Sequence, residues 1–256
     1  MKLLTLNLWG GTVYQPLIRF IKQQGKTVDV FCFQEVFNTT ANKKVSGQIR
    51  TNLFQELQKV LPNHQACFAG AIKGFNMTGP VNFNLEFGLA MFIRKNIEVE
   101  RLGEVFVNRR KNSPVSRIAS MPRNLLYAVV KHQQKKYLIA NMHGLWNNGP
   151  KTDTPDRIKQ SQKARRLLDK FSCAKLICGD FNLLPTTKSV AILDKGMVNL
   201  VKKHKVKSTR TKFYRSFKTK PLFADYIIVS PDLKTKNFQV LKNVVSDHSP
   251  LAVEFN

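Results

Sequence analysis

The chain has only 16 acidic residues among 256, so the places where they fall carry information. The stretch "KLICGDFNLLP" (175–185) brings an apolar run to a glycine and then sets Asp180 and Asn182 two residues apart. Glu35 follows "DVFCFQ", Asp225 heads "DYIIVS", Asp247 stands beside His248 ahead of the last apolar run, and Asn7 ends "LTLN". Taken singly, each reads as a turn former, because Asp and Asn side chains bond their own backbone. Together they place oxygen-bearing side chains at the ends of five apolar segments, where scaffolds display reacting groups. Carboxylates held close disfavour one another's ionisation unless a cation or basic partner joins them. Oxygen ligands of this kind suit Mg²⁺ or Mn²⁺ rather than zinc.

The segments that must position these groups are short and apolar or alternating. Strands are expected at 2–8, 28–34, 64–71, 86–93, 97–107, 123–131, 136–142, 174–179, 224–230, 237–243 and 250–255. "KHQQKKY" (131–137) reads as a hairpin connection. Helices are expected at 14–24, at 47–60 (Ile49, Leu53, Leu57 and Val60 at helical spacing) and from Thr154 to Phe171. The third has Thr154 as N-cap and Pro155 at its first position. Its inward face is expected to be Ile158, Ala164, Leu168 and Phe171, with Arg157, Lys159, Lys163, Arg165, Arg166 and Lys170 toward solvent. No repeat, low-complexity tract or linker divides the chain. The expected class is therefore a layered α/β (α+β) fold in a single domain, 1–256.

Charge narrows the partners. The formal net charge is +26, and it is uneven: residues 101–140 hold nine basic and one acidic residue, and 181–220 hold eleven and one. A localised basic field attracts polyanions, either nucleic acid or an anionic membrane surface. In 202–220 the basic residues interleave with Phe213, Tyr214 and Phe217, which suits phosphate contacts plus base stacking and makes Lys212, Tyr214 and Arg215 candidate substrate-binding residues. No stretch reaches the length of a transmembrane helix, and the start makes a poor signal peptide. Cys32, Cys67, Cys173 and Cys178 include no CxxC pair and read as buried thiols of a cytoplasmic protein.

The motifs "LTLNLWGG", "FCFQEVF", "ANMHGLW", "LICGDFNLLP", "FADYIIVS" and "VSDHSPLAVEF" resemble, in order, those of the endonuclease/exonuclease/phosphatase superfamily with its DNase I-like fold. The resemblance runs from residue 4 to 255. It implies a two-sheet β-sandwich flanked by helices in four layers. It also implies roles: Asn7 and Glu35 at a metal site with Glu35 a direct ligand, and Asp247 completing it. Asp180 would orient and deprotonate the attacking water, and Asn182 would hold that water or a phosphate oxygen. His248 would contact the phosphate, with Asp225 fixing its tautomer and favouring its charged form. His143 would be a second phosphate donor, with Glu86 as its possible carboxylate partner. Arg123 and Asn124 fall where the family places phosphate-contacting groups.

The expectation is a monomeric, Mg²⁺- or Mn²⁺-dependent nuclease acting on DNA, with RNA left open as a further substrate. The same motifs allow a phospholipid or sphingomyelin phosphodiesterase, a phosphoinositide phosphatase, or a tyrosyl-DNA phosphodiesterase. A non-catalytic nucleic-acid-binding module would show a lost Glu35, Asp180 or His248; all are present.

Overall fold

The computed structural model describes residues 1–42, 44–216 and 222–256. Part of the basic run, including Phe217, lies outside these residues. Two six-stranded sheets form the frame. The first contains β1 (Lys2–Asn7), β2 (Val30–Asn38), β5 (His64–Lys73), β6 (Glu86–Arg94), β13 (Thr235–Val240) and β14 (Leu251–Phe255), in the order β13-β14-β1-β2-β6-β5. The second contains β7 (Glu98–Asn108), β8 (Arg123–His132), β9 (Lys135–His143), β10 (Ala174–Asp180), β11 (Val198–Asn199) and β12 (Asp225–Val229), in the order β11-β12-β10-β9-β8-β7. A two-residue pair, β3 (Val45–Ser46) and β4 (Ile49–Arg50), stands apart. Among the described residues no helix is long and apolar enough to cross a membrane.

Strand composition explains the layering. Nearly every residue of β2, β6, β8, β9, β10 and β12 is buried, because both sheet faces are covered and the strands read as continuous apolar runs. Leu3, Val30, Leu89, Leu126, Ile139, Leu176 and Ile227 belong to the core that fills the space between the sheets. Helices α1 (Tyr14–Gln24) and α2 (Leu53–Val60) cover the outer face of the first sheet, with Leu17, Ile21, Leu53 and Leu57 packed on Leu4, Phe31 and Phe92. The second sheet's outer face takes α3 (Pro155–Leu168) and α4 (Lys188–Asp194), with the short α5 (Leu200–Lys203) beside β12. The result is the α/β two-sheet sandwich flanked by helices that the sequence implies.

Three local expectations are corrected. The helix expected at 47–60 starts at Leu53: Gly47, at φ +61°, turns the β3–β4 hairpin, so Ile49 reaches the interior from a strand. Arg157, expected toward solvent, is fully buried. Its guanidinium donates to the carbonyls of Pro150 (2.6 Å) and Thr152 (2.7 Å) and to Asn147 Oδ1 (3.1 Å), so a charged side chain stands in for the partners that the 145–152 loop lacks. Cys32 and Cys178 are buried free thiols in mutual contact across the sandwich, and burial pushes the Cys32 thiol well up; Cys67 and Cys173 are half-buried.

Candidate active site

Strand register assembles the centre. Asp180, last residue of β10, pairs with His143, last residue of β9, on one side and with Asp225, first residue of β12, on the other. Three chemically active side chains therefore line up along one rim of the second sheet. Gly179 makes this possible. Its φ is +126°, and a Cβ there would meet the Met142 carbonyl oxygen at 2.2 Å, so the motif's glycine lets two backbones approach closely just before Asp180.

The first sheet contributes from the facing rim. Asn7 ends β1 opposite Gln34. Glu35 sits in a bulge of β2 at φ +54°, an uncommon conformation for a non-glycine residue. Beneath them Gln34 Nε2 donates to Asn141 Oδ1 across the sandwich (2.7 Å), and Asn141 Nδ2 donates back to the Phe33 carbonyl (3.0 Å). This buried amide clamp ties the two rims together. It is a part of the site that the sequence reading passed over, because Gln and Asn in apolar strands carry no signal until the sheets face each other.

Asp180 is the hub. Its Oδ2 accepts from Asn7 Nδ2 (3.0 Å), and its Oδ1 accepts from the backbone N–H of Asn182 (2.9 Å). Asn182 itself sits at φ +54°, with its Nδ2 on the Gly144 carbonyl. His248 Nε2 and His143 Nε2 stand 3.6 and 3.8 Å from Asp180 Oδ2, and His143 Nε2 is also 3.8 Å from Glu35 Oε1. His248 Nδ1 faces both oxygens of Asp225, at 2.8 and 2.9 Å. Thr209 Oγ1 accepts from the Asp225 backbone N–H and so fixes the head of β12.

Electrostatics follow from burial. Burial raises the Glu35 carboxyl to about 7, with the charges of Asp247 and Asp180 adding to it. Burial likewise raises Asp225 to about 6, against the pull of Arg210. Burial, and after it Arg210, lower His248 to about 3; burial, Arg123, His248 and Arg210 hold His143 well below the ordinary range. Both imidazoles are therefore neutral at neutral pH. This corrects the expectation of a charged His248. Asp225 does fix the tautomer, since Nδ1–H donates to it, but Nε2 contacts Arg210, which has no acceptor to offer. Nε2 is thus the acceptor there.

The other expected residues divide. Arg123 is buried near Glu35 and Asp180, whose charges favour its cationic form against burial. Tyr214 joins the site's edge, with its ring beneath Arg210 (4.4 Å) and 5.5 Å from Lys151 Nζ. Asn124 is engaged elsewhere: Nδ2 donates to Glu104 Oε1 and, across the sandwich, to the Ala69 carbonyl. Glu86 pairs with Lys73 (3.5 Å) and Asn38, not with His143; it is Phe87 whose ring faces His143, at 5.9 Å. Lys212 lies over Phe213 and is exposed, as is Arg215. Asp247 Oδ2 is taken by Arg210 Nη1 at 2.8 Å. Arg210 and Lys151 were missed. Both lie in polar loops, where only the tertiary contact separates a site cation from a solvated one.

A fit for a cation is visible in the acids. Glu35 Oε2 is buried with no hydrogen-bond partner among the described residues, an arrangement unfavourable for a carboxylate unless a cation shares it. Asp180, Asp225 and His248 also place ligand atoms within 4.8 Å of one another.

Two facing β-sheets with carboxylates, amides and imidazoles gathered on one rim define a phosphoester hydrolase architecture. The profile of the Endonuclease/Exonuclease/phosphatase family matches residues 4–248, and the chain belongs to that family, whose members cleave phosphoesters and typically use divalent metals. By sequence alone, no curated protein matches the chain. In structure it is similar to an endonuclease/exonuclease/phosphatase family protein from Leptotrichia buccalis (TM-score 0.75, 21% identity, covering 100% of this chain and 99% of that one). It is also similar to the mannosyl-6-phosphatase Bt3783 of Bacteroides thetaiotaomicron (0.73, 18%, 100% and 99%) and to the human Nocturnin catalytic domain with bound sulfate anion (0.67, 15%, 100% and 93%).

Proposed function

We propose that the chain hydrolyses phosphodiester bonds in nucleic acid, DNA foremost, with Mg²⁺ or Mn²⁺ as cofactor. The observation that carries the reading is Asp180. It is a buried carboxylate held by two hydrogen bonds from Asn7 and Asn182, with two neutral imidazoles within 4 Å, in a chain of net charge +26.

The residues divide the work. Glu35, with its buried Oε2, and Asn7 Oδ1, with a lone pair left beyond the Trp9 N–H, would hold the divalent ion; Asp247 lends charge from Arg210's side. When bound, that ion supplies Lewis-acid polarisation of the phosphate. Asp180 accepts the proton of the attacking water and, locked by its two donors, aims that water in line with the leaving oxygen. Asn182 and His143 bond the non-bridging oxygens where charge develops. Asp225 holds His248 in one tautomer. The basic 202–220 run and Lys151 meet the polyanion beyond the reacting group.

The likeness to a mannosyl-6-phosphatase over the whole chain supports a second reading, hydrolysis of a sugar-phosphate monoester. One experiment separates them. Wild type and Asp180→Asn are incubated with labelled single-stranded DNA, duplex DNA, RNA and mannose 6-phosphate, each with Mg²⁺ and with EDTA. The expected result is Mg²⁺-dependent cleavage of a nucleic acid, reduced at least about 10³-fold by Asp180→Asn. Release of phosphate from the sugar alone overturns the nuclease reading.

A further inference from the structure

Arg210 belongs to none of the motifs, yet the fold sets it at their centre. Its backbone forms an antiparallel bridge with His248; Thr211 N–H donates to the Asp247 carbonyl (3.1 Å) and Ser249 N–H to the Thr209 carbonyl (2.9 Å). The segment 209–211 is thus zipped to the Ser-Asp-His motif along its length. The side chain is 5% exposed. Nη1 donates to Asp247 Oδ2 and contacts His248 Nε2, while the guanidinium lies flat enough on Tyr214 to bring Cζ within 4.4 Å of the ring centroid.

This placement uses only part of the group. A guanidinium carries five N–H donors in a fixed fork matched to phosphate. Among the described residues, Nη1 is engaged, Nε is buried with no partner, and no hydrogen bond involves Nη2. A buried cation with donors to spare, inside a phosphoester site, is a ligand in waiting. His248 cannot fill that role as it stands, because both ring nitrogens are occupied, Nδ1 by Asp225 and Nε2 by Arg210. The same occupancy bears on the cluster of Asp180, Asp225 and His248. A dication placed there would have to displace Arg210 from His248 and lie against its positive charge.

We propose that Arg210 is the fixed cation that grips the substrate's phosphoryl oxygens, standing where a charged His248 or a second metal ion would otherwise serve, so that the site works with one divalent ion held on the Glu35 side. Lys151, 5.5 Å from the same Tyr214 ring and donating to the Phe223 carbonyl, is its outer neighbour. This inference rests on the phosphoester reading of the same site, but its test does not require that the substrate be nucleic acid.

The test uses inorganic phosphate as probe, titrated calorimetrically into the metal-free full chain. Arg210→Met should weaken phosphate binding at least 10-fold, Arg210→Lys should weaken it less, and His248→Gln should weaken it less than Arg210→Met. Near-UV circular dichroism establishes that each variant is folded. If Arg210→Met is not folded, Arg210→Lys together with guanidinium-ion rescue of Arg210→Ala carries the test. Electron paramagnetic resonance with Mn²⁺ should count one tight ion per wild-type chain. Phosphate binding by folded Arg210→Met within twofold of wild type overturns the proposal, as do two tight Mn²⁺ ions in wild type. Arg210-dependent phosphate binding without cleavage of any nucleic acid leaves this inference standing and overturns the nuclease reading instead.

Discussion

At the scale of single residues, burial decides what each group can do. Glu35 is the clearest case. Its folded carboxyl is raised to about 7 by burial and by Asp247, so the folded chain prefers it protonated. A raised folded value means that its contribution to stability is full below the unfolded value near 4.5 and is lost as pH rises through about 7. A divalent cation reverses this by binding only the ionised form. Thermal melts should therefore show a Mg²⁺- or Mn²⁺-induced rise in Tm that is small at pH 6 and larger at pH 8. Glu35→Gln should remove most of that rise and make the metal-free protein more stable than wild type at pH 8. Equal metal shifts at the two pH values would place the ion elsewhere. The neutral state of His143 and His248 follows from the same physics. A motif names an imidazole, but its burial, and after that the charges beside it, set its charge.

At the scale of elements, the rim is built by one close approach and one buried anchor. Gly179→Ala forces a Cβ to within 2.2 Å of a backbone oxygen in β9 and a strained φ on the same residue. A loss on the order of 3 kcal/mol or more in urea unfolding is expected, or failure to accumulate as folded protein. Arg157 anchors the 145–152 loop that carries Lys151 to the site. Arg157→Leu should lower stability by about 3 kcal/mol, because it strands carbonyls that have no other partner. It should also reduce kcat/KM beyond what the unfolded fraction explains, since Lys151 loses its support. Full kcat/KM per folded molecule would show that the loop holds its shape without the guanidinium.

At the scale of the whole molecule, the charge gives the proposed polyanionic partner its test. A chain of +26 that tracks a phosphate backbone should lose affinity as a power of salt concentration, with about 0.7–0.9 counterion released per phosphate contacted. Six such contacts predict roughly a 10³-fold loss between 50 and 200 mM salt, measured by fluorescence anisotropy with labelled DNA and the inactive Asp180→Asn variant. A sugar-phosphate monoesterase, which meets a single phosphate, would show a far shallower dependence in its own KM.

Much of this was legible in the chain itself. Continuous apolar runs read as strands because both faces of each sheet are covered, and nearly all expected strands are present. The acids at strand ends stood out because the chain has so few, and Asn7, Glu35, Asp180, Asn182, Asp225 and His248 do converge. The helix at 47–60 was overread because a hairpin residue, Ile49, and a helix residue, Leu53, can share a spacing of four while belonging to different elements. Short elements such as β11 and α5 carry too few residues for a period to show. What only the tertiary structure decided is pairing between distant segments. Glu86 was assigned to the wrong neighbour because alternation along β6 turns it away from His143 by one position, and Asn124 because Glu104 and the Ala69 carbonyl take its amide. Arg157 and Arg210 are ordinary members of basic stretches until the fold buries them. Local pattern determines which face of an element is apolar, but the fate of a polar side chain depends on what a distant part of the chain sets against it. For that reason the carboxylates that gather on the rim could be read in advance, and the cation that faces them could not.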